Sequence, residues 1–319
     1  ICFINGYTSV KKLDLTWYGG EPLMAFNKIK QIIHKINDEC NVEISSQSII
    51  TNAYLLSDNV IRDMMNLGFT QVQISFDGDE ESHDKTRFLK GNKGKTFAKI
   101  IGNLDNLVSQ TPDDFKIDLR INVNKTNEKD FAILYKKFIH RYGTKKINPY
   151  PGFIRETSKD GCRMCYKSLF NSKRYQFYKT IEKEGVPVDF FPHIDFQKSC
   201  MVNRNNCFII GPSGEMYKCW NDFNTPEKII GNIQDKKLKN PSLVSHYLYD
   251  TSIYNTQKCK DCSLFPVCDG GCQWFKHKNI FEGKQYNICS FLNNQHILEE
   301  CLLSDIEKHA GTLHKVLAI

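Results

Sequence analysis

The chain has 319 residues, a formal net charge of +7 and an apolar fraction of 40%, a composition typical of a globular protein with one large or two smaller domains. No apolar run approaches the roughly 18 residues of a membrane-spanning helix, and no basic run with interleaved aromatics indicates a nucleic-acid partner. The thirteen cysteines are too few for a small disulfide scaffold, in which about 8–10% is typical. We therefore expect a cytoplasmic protein, without membrane or nucleic-acid partners, whose clustered cysteines bind metal.

Strand-like and helix-like segments alternate through the first half of the chain. Alternating apolar residues predict strands at 13–20, 42–52, 70–78, 116–124 and 145–154. Apolar residues at helical spacing predict helices at 27–40, 57–68, 95–108 and 128–143. Strands that alternate with helices predict βαβ units and a parallel sheet.

The predicted strands have one polar face. Ile117, Leu119 and Ile121 alternate with polar residues, and the strand at 70–78 follows the same pattern. Strands covered on both faces read as continuous apolar runs, and a closed barrel fills its interior with branched apolar side chains. We therefore predict an open, partial barrel whose polar inner face holds a ligand. An antiparallel sheet with a solvated face is the alternative, which the intervening helices disfavour.

The regular alternation stops near residue 155, where cysteines and turn residues take over. We predict a barrel domain at 1–155, a bridging region at 156–195 and a cysteine-rich domain at 196–319. The segment 293–310 is predicted to form a closing helix.

Polar motifs follow the predicted strands. In "WYGGEPL", Gly19 and Gly20 allow a ligand to approach the backbone, Glu21 offers an acceptor for an ammonium group, and Pro22 stiffens the turn. A plain strand-to-helix turn is the alternative for this motif alone. The segments "TNAYLL", "ISFDG" and "HDKTR" follow later strands at equivalent positions, which favours a ligand site at the ends of the strands.

The segment "CKDCSLFPVCDGGC" holds four cysteines with the spacing Cys-x2-Cys-x5-Cys-x3-Cys. Soft thiolate ligands select zinc or iron–sulfur clusters. Structural zinc prefers paired Cys-x2-Cys units or mixtures of cysteine and histidine, and only one such pair occurs in this segment, with no suitably spaced histidine. The pattern favours an iron–sulfur site, and a zinc-ribbon binding module is the alternative.

Together these motifs resemble radical S-adenosylmethionine (radical SAM) enzymes that carry a C-terminal SPASM domain. The resemblance implies an α/β fold, a partial (β/α)6 TIM-like barrel followed by the SPASM domain. It implies that S-adenosylmethionine is bound by Gly19, Gly20, Glu21, Pro22, Thr51, Asn52, Ser75, Asp77 and Asn122. Ala53 stands where the family usually has glycine, and no catalytic residue is assigned.

The resemblance also implies two auxiliary 4Fe–4S clusters. The family's interleaved pattern assigns the first to Cys200, Cys207, Cys219 and Cys272, and the second to Cys259, Cys262, Cys268 and Cys289. A third, catalytic cluster needs a Cys-x3-Cys-x2-Cys loop, which this sequence lacks. Because the chain begins at Ile1 without an initiator Met, we expect that an N-terminal truncation has removed the first strand and this loop, and that the chain as given is inactive. A homologue that never had the loop is the alternative.

The function that the resemblance implies is modification of a peptide or protein substrate through a 5′-deoxyadenosyl radical, with flavodoxin or ferredoxin as reductant. Cross-linking of a ribosomal precursor peptide is favoured over maturation of a sulfatase. In sulfatase-maturating members an aspartate directly follows the cysteine of Gly-x4-Cys, whereas Trp220 follows Cys219 here and Asp222 comes two residues later. An iron–sulfur electron carrier or scaffold without SAM cleavage is the alternative from another class.

Several residues are predicted to lie outside these sites. Cys162 and Cys165 are expected to be ordinary thiols near the substrate channel, Cys40 and Cys301 small apolar residues within helices, and His83 a loop residue.

Overall fold

The computed structural model describes residues 1–155, 171–191, 200–235, 237–268 and 270–317. The chain divides into two compact units, residues 1–167 with 183–186 and residues 168–182 with 187–319. Cys162 and Cys165 lie outside the described residues, so their predicted role stays a prediction.

The first unit alternates strands and helices along the chain. Its strands are β1 (Lys12–Trp17), β2 (Glu43–Thr51), β3 (Gln71–Phe76), β4 (Lys116–Val123) and β5 (Ile147–Phe153). Its helices are α1 (Cys2–Asn5), α2 (Phe26–Glu39), α3 (Asp58–Asn66), α4 (Glu80–Thr86), α5 (Phe97–Gln110) and α6 (Asp130–Tyr142). The predicted strands and helices are all present, and α1 and α4 are additional helices that the sequence pattern did not indicate.

The five strands form one parallel sheet in the order β1-β2-β3-β4-β5. Each strand pairs in parallel with the next one along the chain; Ile74 of β3, for example, lies opposite Leu119 of β4. Sequential order with helical crossovers is the arrangement of a (β/α) barrel wall. The predicted α/β fold is therefore confirmed.

The strands bury one face and leave the other partly accessible. Val72, Ile74 and Phe76 of β3 are fully buried, while the alternate residues of the same strand are half-buried. The Phe76 ring lies 5.0 Å from that of Phe138 in α6 and 5.9 Å from that of Phe97 in α5. The apolar face therefore packs on the helices, as predicted, and the polar face is only half-buried.

The second unit contains short elements around a small antiparallel sheet. The strands β6 (Ile209–Ile210), β7 (Glu215–Tyr217) and β8 (Gly231–Asn232) form this sheet in chain order. The helices are α7 (Asn171–Lys183), α8 (Pro241–Ser245), α9 (Gln257–Lys260), α10 (Gln273–Phe281) and α11 (Gln295–Leu317). The predicted closing helix is confirmed as α11.

A core in the second unit packs aromatic residues beside cysteines. Phe190, Phe291, Leu292 and Cys301 are buried together, and Cys262 and Cys268 pack against this cluster. Cys301 is an apolar helix residue, as predicted, whereas Cys40 lies just beyond the end of α2. Among the described helices, none is long and apolar enough to cross a membrane.

Candidate cofactor and metal sites

Glu21 connects the loops that follow β1 and β2. Its Oε1 accepts hydrogen bonds from the Leu23 N–H at 3.0 Å and the Thr51 hydroxyl at 2.6 Å. Its Oε2 accepts one from the Asn52 N–H at 2.8 Å. Since an ionised carboxylate offers about four acceptor positions, about one remains for an external donor such as an ammonium group. Three residues of the predicted cofactor set are thus brought together.

The glycines before Glu21 leave backbone accessible. Gly19 and Gly20 are exposed, and apart from the adjacent residues of the chain no described atom lies within 4 Å of where a Cβ would stand on either one. Neither glycine has a positive φ, so local packing and backbone conformation do not require them. Pro22 is buried at the start of a 3-10 turn, Pro22–Ala25, which Glu21 caps. Open space beside a rigid turn fits the predicted approach of a ligand.

Asp77 and Asn122 meet across neighbouring strands. The Asn122 amide donates to Asp77 Oδ1 at 2.7 Å, and the Arg87 Nε lies 2.9 Å from Asp77 Oδ2. Burial opposes ionisation of Asp77, but the Arg87 guanidinium and the hydrogen bonds from Asn122 and Thr86 hold the pKa of this carboxyl below its usual value. Asp77 is therefore an ionised, positioned group.

Ser75 lies on the polar face of β3, half-buried, in the predicted phase. The same face carries cross-strand hydrogen bonds, such as that from the Tyr150 hydroxyl to Gln73 Oε1 at 2.7 Å. Carboxyl ends of parallel strands meet at one edge of a sheet. Glu21, Thr51, Asn52, Asp77 and Asn122 all lie at or just beyond strand ends, so they share this edge.

Two residues of this edge were not assigned from the sequence. Arg87 belongs to the segment "HDKTR", in which the sequence indicated no role for the arginine. In the structure it is the ion-pair partner of Asp77. The buried Asn127 donates to the backbone oxygens of Asp77 and Asn122, at 3.2 and 2.9 Å. No local sequence signal marks Asn127, because its partners belong to two different strand ends.

His83 lies in helix α4 and not in a loop, which corrects the prediction. It is fully buried, 5.7 Å from the Phe76 ring and 5.5 Å from the Phe97 ring. Its Nδ1 accepts from the Asp77 N–H at 3.3 Å. Burial, assisted by the positive charge of Arg87, lowers the pKa of His83 to about 4. The imidazole is therefore neutral at physiological pH and supports the Asp77 loop.

The first predicted cysteine set lies in one neighbourhood. Cys219 is buried, and burial raises the pKa of its thiol well above the usual value, with contributions from the nearby Cys272 and Cys200. Lys218 donates to the backbone oxygen of Cys207 at 2.9 Å and also to that of Arg204. Cys200 and the sequence-distant Cys272 thus lie near Cys219, and Cys207 lies beside Lys218.

Two cysteines of the second predicted set, Cys268 and Cys289, lie beside the Gly270–Gly271 turn. The Gly270 N–H donates to Cys268 Sγ at 3.3 Å. Both glycines have positive φ, +76° and +74°. A Cβ at Gly270 would collide with the Ile253 side chain, and one at Gly271 with the carbonyl oxygen of Ile288, next to Cys289. Only glycine fits here, and this turn brings the Cys268–Cys272 segment beside Cys289.

Among the described residues, the predicted ligand thiols are not arranged as a closed metal site. Within the described ranges, no three His, Cys, Asp or Glu side chains are placed close enough to hold a metal ion. The donor set of eight thiols fits iron–sulfur chemistry better than zinc. The assignment of individual ligands stays a prediction.

Asp222 does not have the setting of an exposed base. It is 1% exposed, and it accepts hydrogen bonds from the Tyr247 hydroxyl at 2.7 Å and the Trp274 indole N–H at 3.0 Å. Burial raises the pKa of its carboxyl. Asp222 therefore organises the interior next to Cys219.

Known proteins with similar sequences include anaerobic sulfatase-maturating enzymes and a radical SAM cyclopropyl synthase, although no protein-family model matches the chain. The cysteine-type anaerobic sulfatase-maturating enzyme of Clostridium novyi is 27% identical over 298 residues, covering 85% of this chain and 75% of that enzyme. The radical SAM cyclopropyl synthase TigE of Paramaledivibacter caminithermalis is 22% identical over 284 residues, covering 82% of this chain and 54% of that enzyme.

Solved structures share the fold. Native anSMEcpe with bound AdoMet and Cp18Cys peptide aligns with a TM-score of 0.62 at 18% identity, covering 95% of this chain and 86% of that one. SuiB of Streptococcus suis aligns with a TM-score of 0.56 at 14% identity, covering 88% of this chain and 66% of that one. The predicted fold is confirmed, and the sequence relatives confirm the predicted resemblance.

Proposed function

We propose that this chain, a homologue of radical SAM enzymes, modifies a peptide or protein substrate by hydrogen abstraction. The observation that carries the proposal is the meeting of Glu21, Thr51 and Asn52 at the carboxyl edge of the sheet, beside two exposed glycines. A parallel sheet binds ligands at this edge. The polar inner face then positions the substrate.

S-adenosylmethionine fits the residues at this edge. Glu21 would accept its ammonium group at the remaining acceptor position, and Gly19 and Gly20 would allow the cofactor to approach the backbone. Ser75, Asp77 and Asn122 would line the same pocket, with Arg87 and Asn127 fixing the Asp77 carboxylate. When bound beside a reduced 4Fe–4S cluster, this cofactor supplies a 5′-deoxyadenosyl radical. Holding the substrate in place is the main task of the protein.

Iron–sulfur clusters fit the C-terminal thiols. Cys200, Cys207, Cys219 and Cys272 would hold one auxiliary cluster, and Cys259, Cys262, Cys268 and Cys289 would hold the other. The buried Cys219 thiol with its raised pKa is disfavoured as an isolated thiolate, and binding to iron would stabilise the deprotonated form. A small electron-transfer protein such as flavodoxin or ferredoxin would supply electrons. The proposal also includes a third, catalytic 4Fe–4S cluster besides the two auxiliary ones.

For the substrate, we favour a ribosomal precursor peptide that gains a cross-link. Asp222 supports this choice, because its carboxylate is buried and held by Tyr247 and Trp274, which leaves it poorly placed to act as a base on a substrate. Maturation of a sulfatase is the second candidate, and the identity to the Clostridium novyi enzyme favours it. Incubation of the native gene product with each type of substrate distinguishes them: a cross-link removes about two mass units, whereas sulfatase maturation creates an aldehyde.

The substitution Glu21→Gln tests the cofactor site. Glutamine keeps one oxygen for Leu23 and Thr51 but presents an amide nitrogen to the Asn52 N–H, and it lacks the negative charge. Hydrogen bonds to charged groups contribute about 1.5–3 kcal/mol, so we expect the affinity for S-adenosylmethionine to fall roughly ten- to a hundredfold.

Equilibrium dialysis of the native gene product measures this affinity, with the exposed Glu39→Gln as a matched control. Iron content should be the same in both variants and the wild type. An unchanged affinity in Glu21→Gln would contradict the assignment of Glu21 to the cofactor site.

A further inference from the structure

Lys276 is a buried cation next to a predicted cluster ligand. It lies on α10 and is only 3% exposed. Its ammonium donates to the Thr251 carbonyl oxygen at 3.1 Å and lies 3.9 Å from Cys259 Sγ. The Gly270 turn passes close to it, since a Cβ at Gly270 would stand 3.0 Å from Lys276 Nζ. The glycine therefore leaves room for the ammonium.

The charge of Lys276 has no carboxylate partner in the part of the chain that the structure describes. One neutral carbonyl and one sulfur are its hydrogen-bonding neighbours there. A buried ammonium is unfavourable unless a counter-charge compensates it. Among the described residues, Cys259 Sγ is the sulfur within hydrogen-bonding distance of the ammonium, so a cluster bound through Cys259 would place its negative charge beside Lys276.

We propose that Lys276 compensates the charge of the second auxiliary cluster and raises its reduction potential. This inference rests on the proposed function, because it requires the cluster held by Cys259, Cys262, Cys268 and Cys289. Reduction adds an electron to a group that is already negative. A fixed positive charge in a dry environment favours the reduced form, and cluster potentials respond to local charge and to hydrogen bonds on sulfur.

Lys218 shows that the placement of the lysine matters. It is also fully buried, beside the first cysteine set, but its ammonium is held by the backbone oxygens of Arg204 and Cys207. No hydrogen bond from Lys218 to a cysteine sulfur is present among the described residues. Lys218 therefore holds the Cys200–Cys207 segment together, whereas Lys276 contacts a ligand sulfur directly.

The test is an EPR-monitored redox titration of the anaerobically purified chain. The wild type should show two auxiliary clusters, about eight iron atoms. In Lys276→Met, the reduced-to-oxidised ratio of one cluster should fall about tenfold at a fixed potential, equivalent to about 59 mV for a one-electron couple. The other auxiliary cluster, assigned to Cys200, Cys207, Cys219 and Cys272, should keep its potential. Lys276→Gln should repeat the shift, and Lys276→Arg should retain the wild-type value.

The matched control is Lys258→Met, because Lys258 is exposed and precedes Cys259 in the sequence. Its charge is screened by solvent, so neither potential should move. If only the neutral variants of Lys276 fail to assemble the cluster, the charge is required and the proposal is supported. Assembled clusters with unchanged potentials would overturn it, as would equal loss of iron in all three Lys276 variants. A wild type without iron would instead refute the proposed function itself.

Discussion

The substitution His83→Asn should remove a pH-dependent part of the stability of the first unit. Burial lowers the pKa of His83 from its ordinary 6.5 to about 4. The unfolded chain therefore takes up a proton near pH 6.5 that the folded chain does not, so stability from the neutral imidazole is full above pH 6.5 and is lost as the pH falls to 4. At about 1.4 kcal/mol per pH unit, the whole effect is about 3 kcal/mol.

Asparagine keeps an acceptor for the Asp77 N–H but does not titrate. The variant should be less stable than the wild type at pH 7.5, because it loses the ring packing against Phe76 and Phe97. Between pH 7.5 and pH 5 the difference between the two proteins should shrink by about 2 kcal/mol. His277, whose pKa burial also lowers to about 4, cancels in this difference.

Urea unfolding followed by hydrogen exchange at the amides of β3 and β4 measures the stability of the first unit. The exposed His140→Asn is the control and should keep the pH dependence of the wild type. If the stability difference between His83→Asn and the wild type is the same at pH 7.5 and pH 5, the buried neutral imidazole is not the cause.

Two further predictions concern backbone conformation. Ala53 is fully buried with φ +59°. Ala53→Gly should change the free energy of unfolding by less than about 1 kcal/mol, because relief of the left-handed conformation offsets the lost methyl group. Ala53→Val should instead destabilise the first unit by about 2 kcal/mol or more. Urea midpoints measure both, and equal midpoints would contradict the reasoning. Gly271→Ala should destabilise the second unit and reduce iron content, because its Cβ would collide with the Ile288 carbonyl. Gly283→Ala is the matched control, since Gly283 has φ +62° and no described atom lies within 4 Å of an added Cβ. It should lower the free energy of unfolding by only about 1 kcal/mol. Equal losses of stability by Gly271→Ala and Gly283→Ala in thermal melts would count against the steric argument.

The sequence by itself determined the elements and their faces. Alternation in β3 and β4 predicted a buried apolar face and an accessible polar face, because successive side chains of a strand point to opposite sides. The segment "WYGGEPL" likewise predicted a turn with an acceptor at Glu21, since the glycines, the carboxylate and the proline are consecutive in the chain. Such patterns depend on nearest neighbours, which the sequence contains directly.

Only the tertiary structure decided which distant groups meet. Asn122 donates to Asp77, 45 positions away, because β3 and β4 are neighbours in a particular register. His83 was expected in a loop, but the pocket between Phe76 and Phe97 buries it in a short helix. Lys276 reads in the sequence as one of many lysines, yet the fold places its ammonium beside Cys259. Burial and long-range pairing arise from packing of the whole chain, so local periodicity does not contain them.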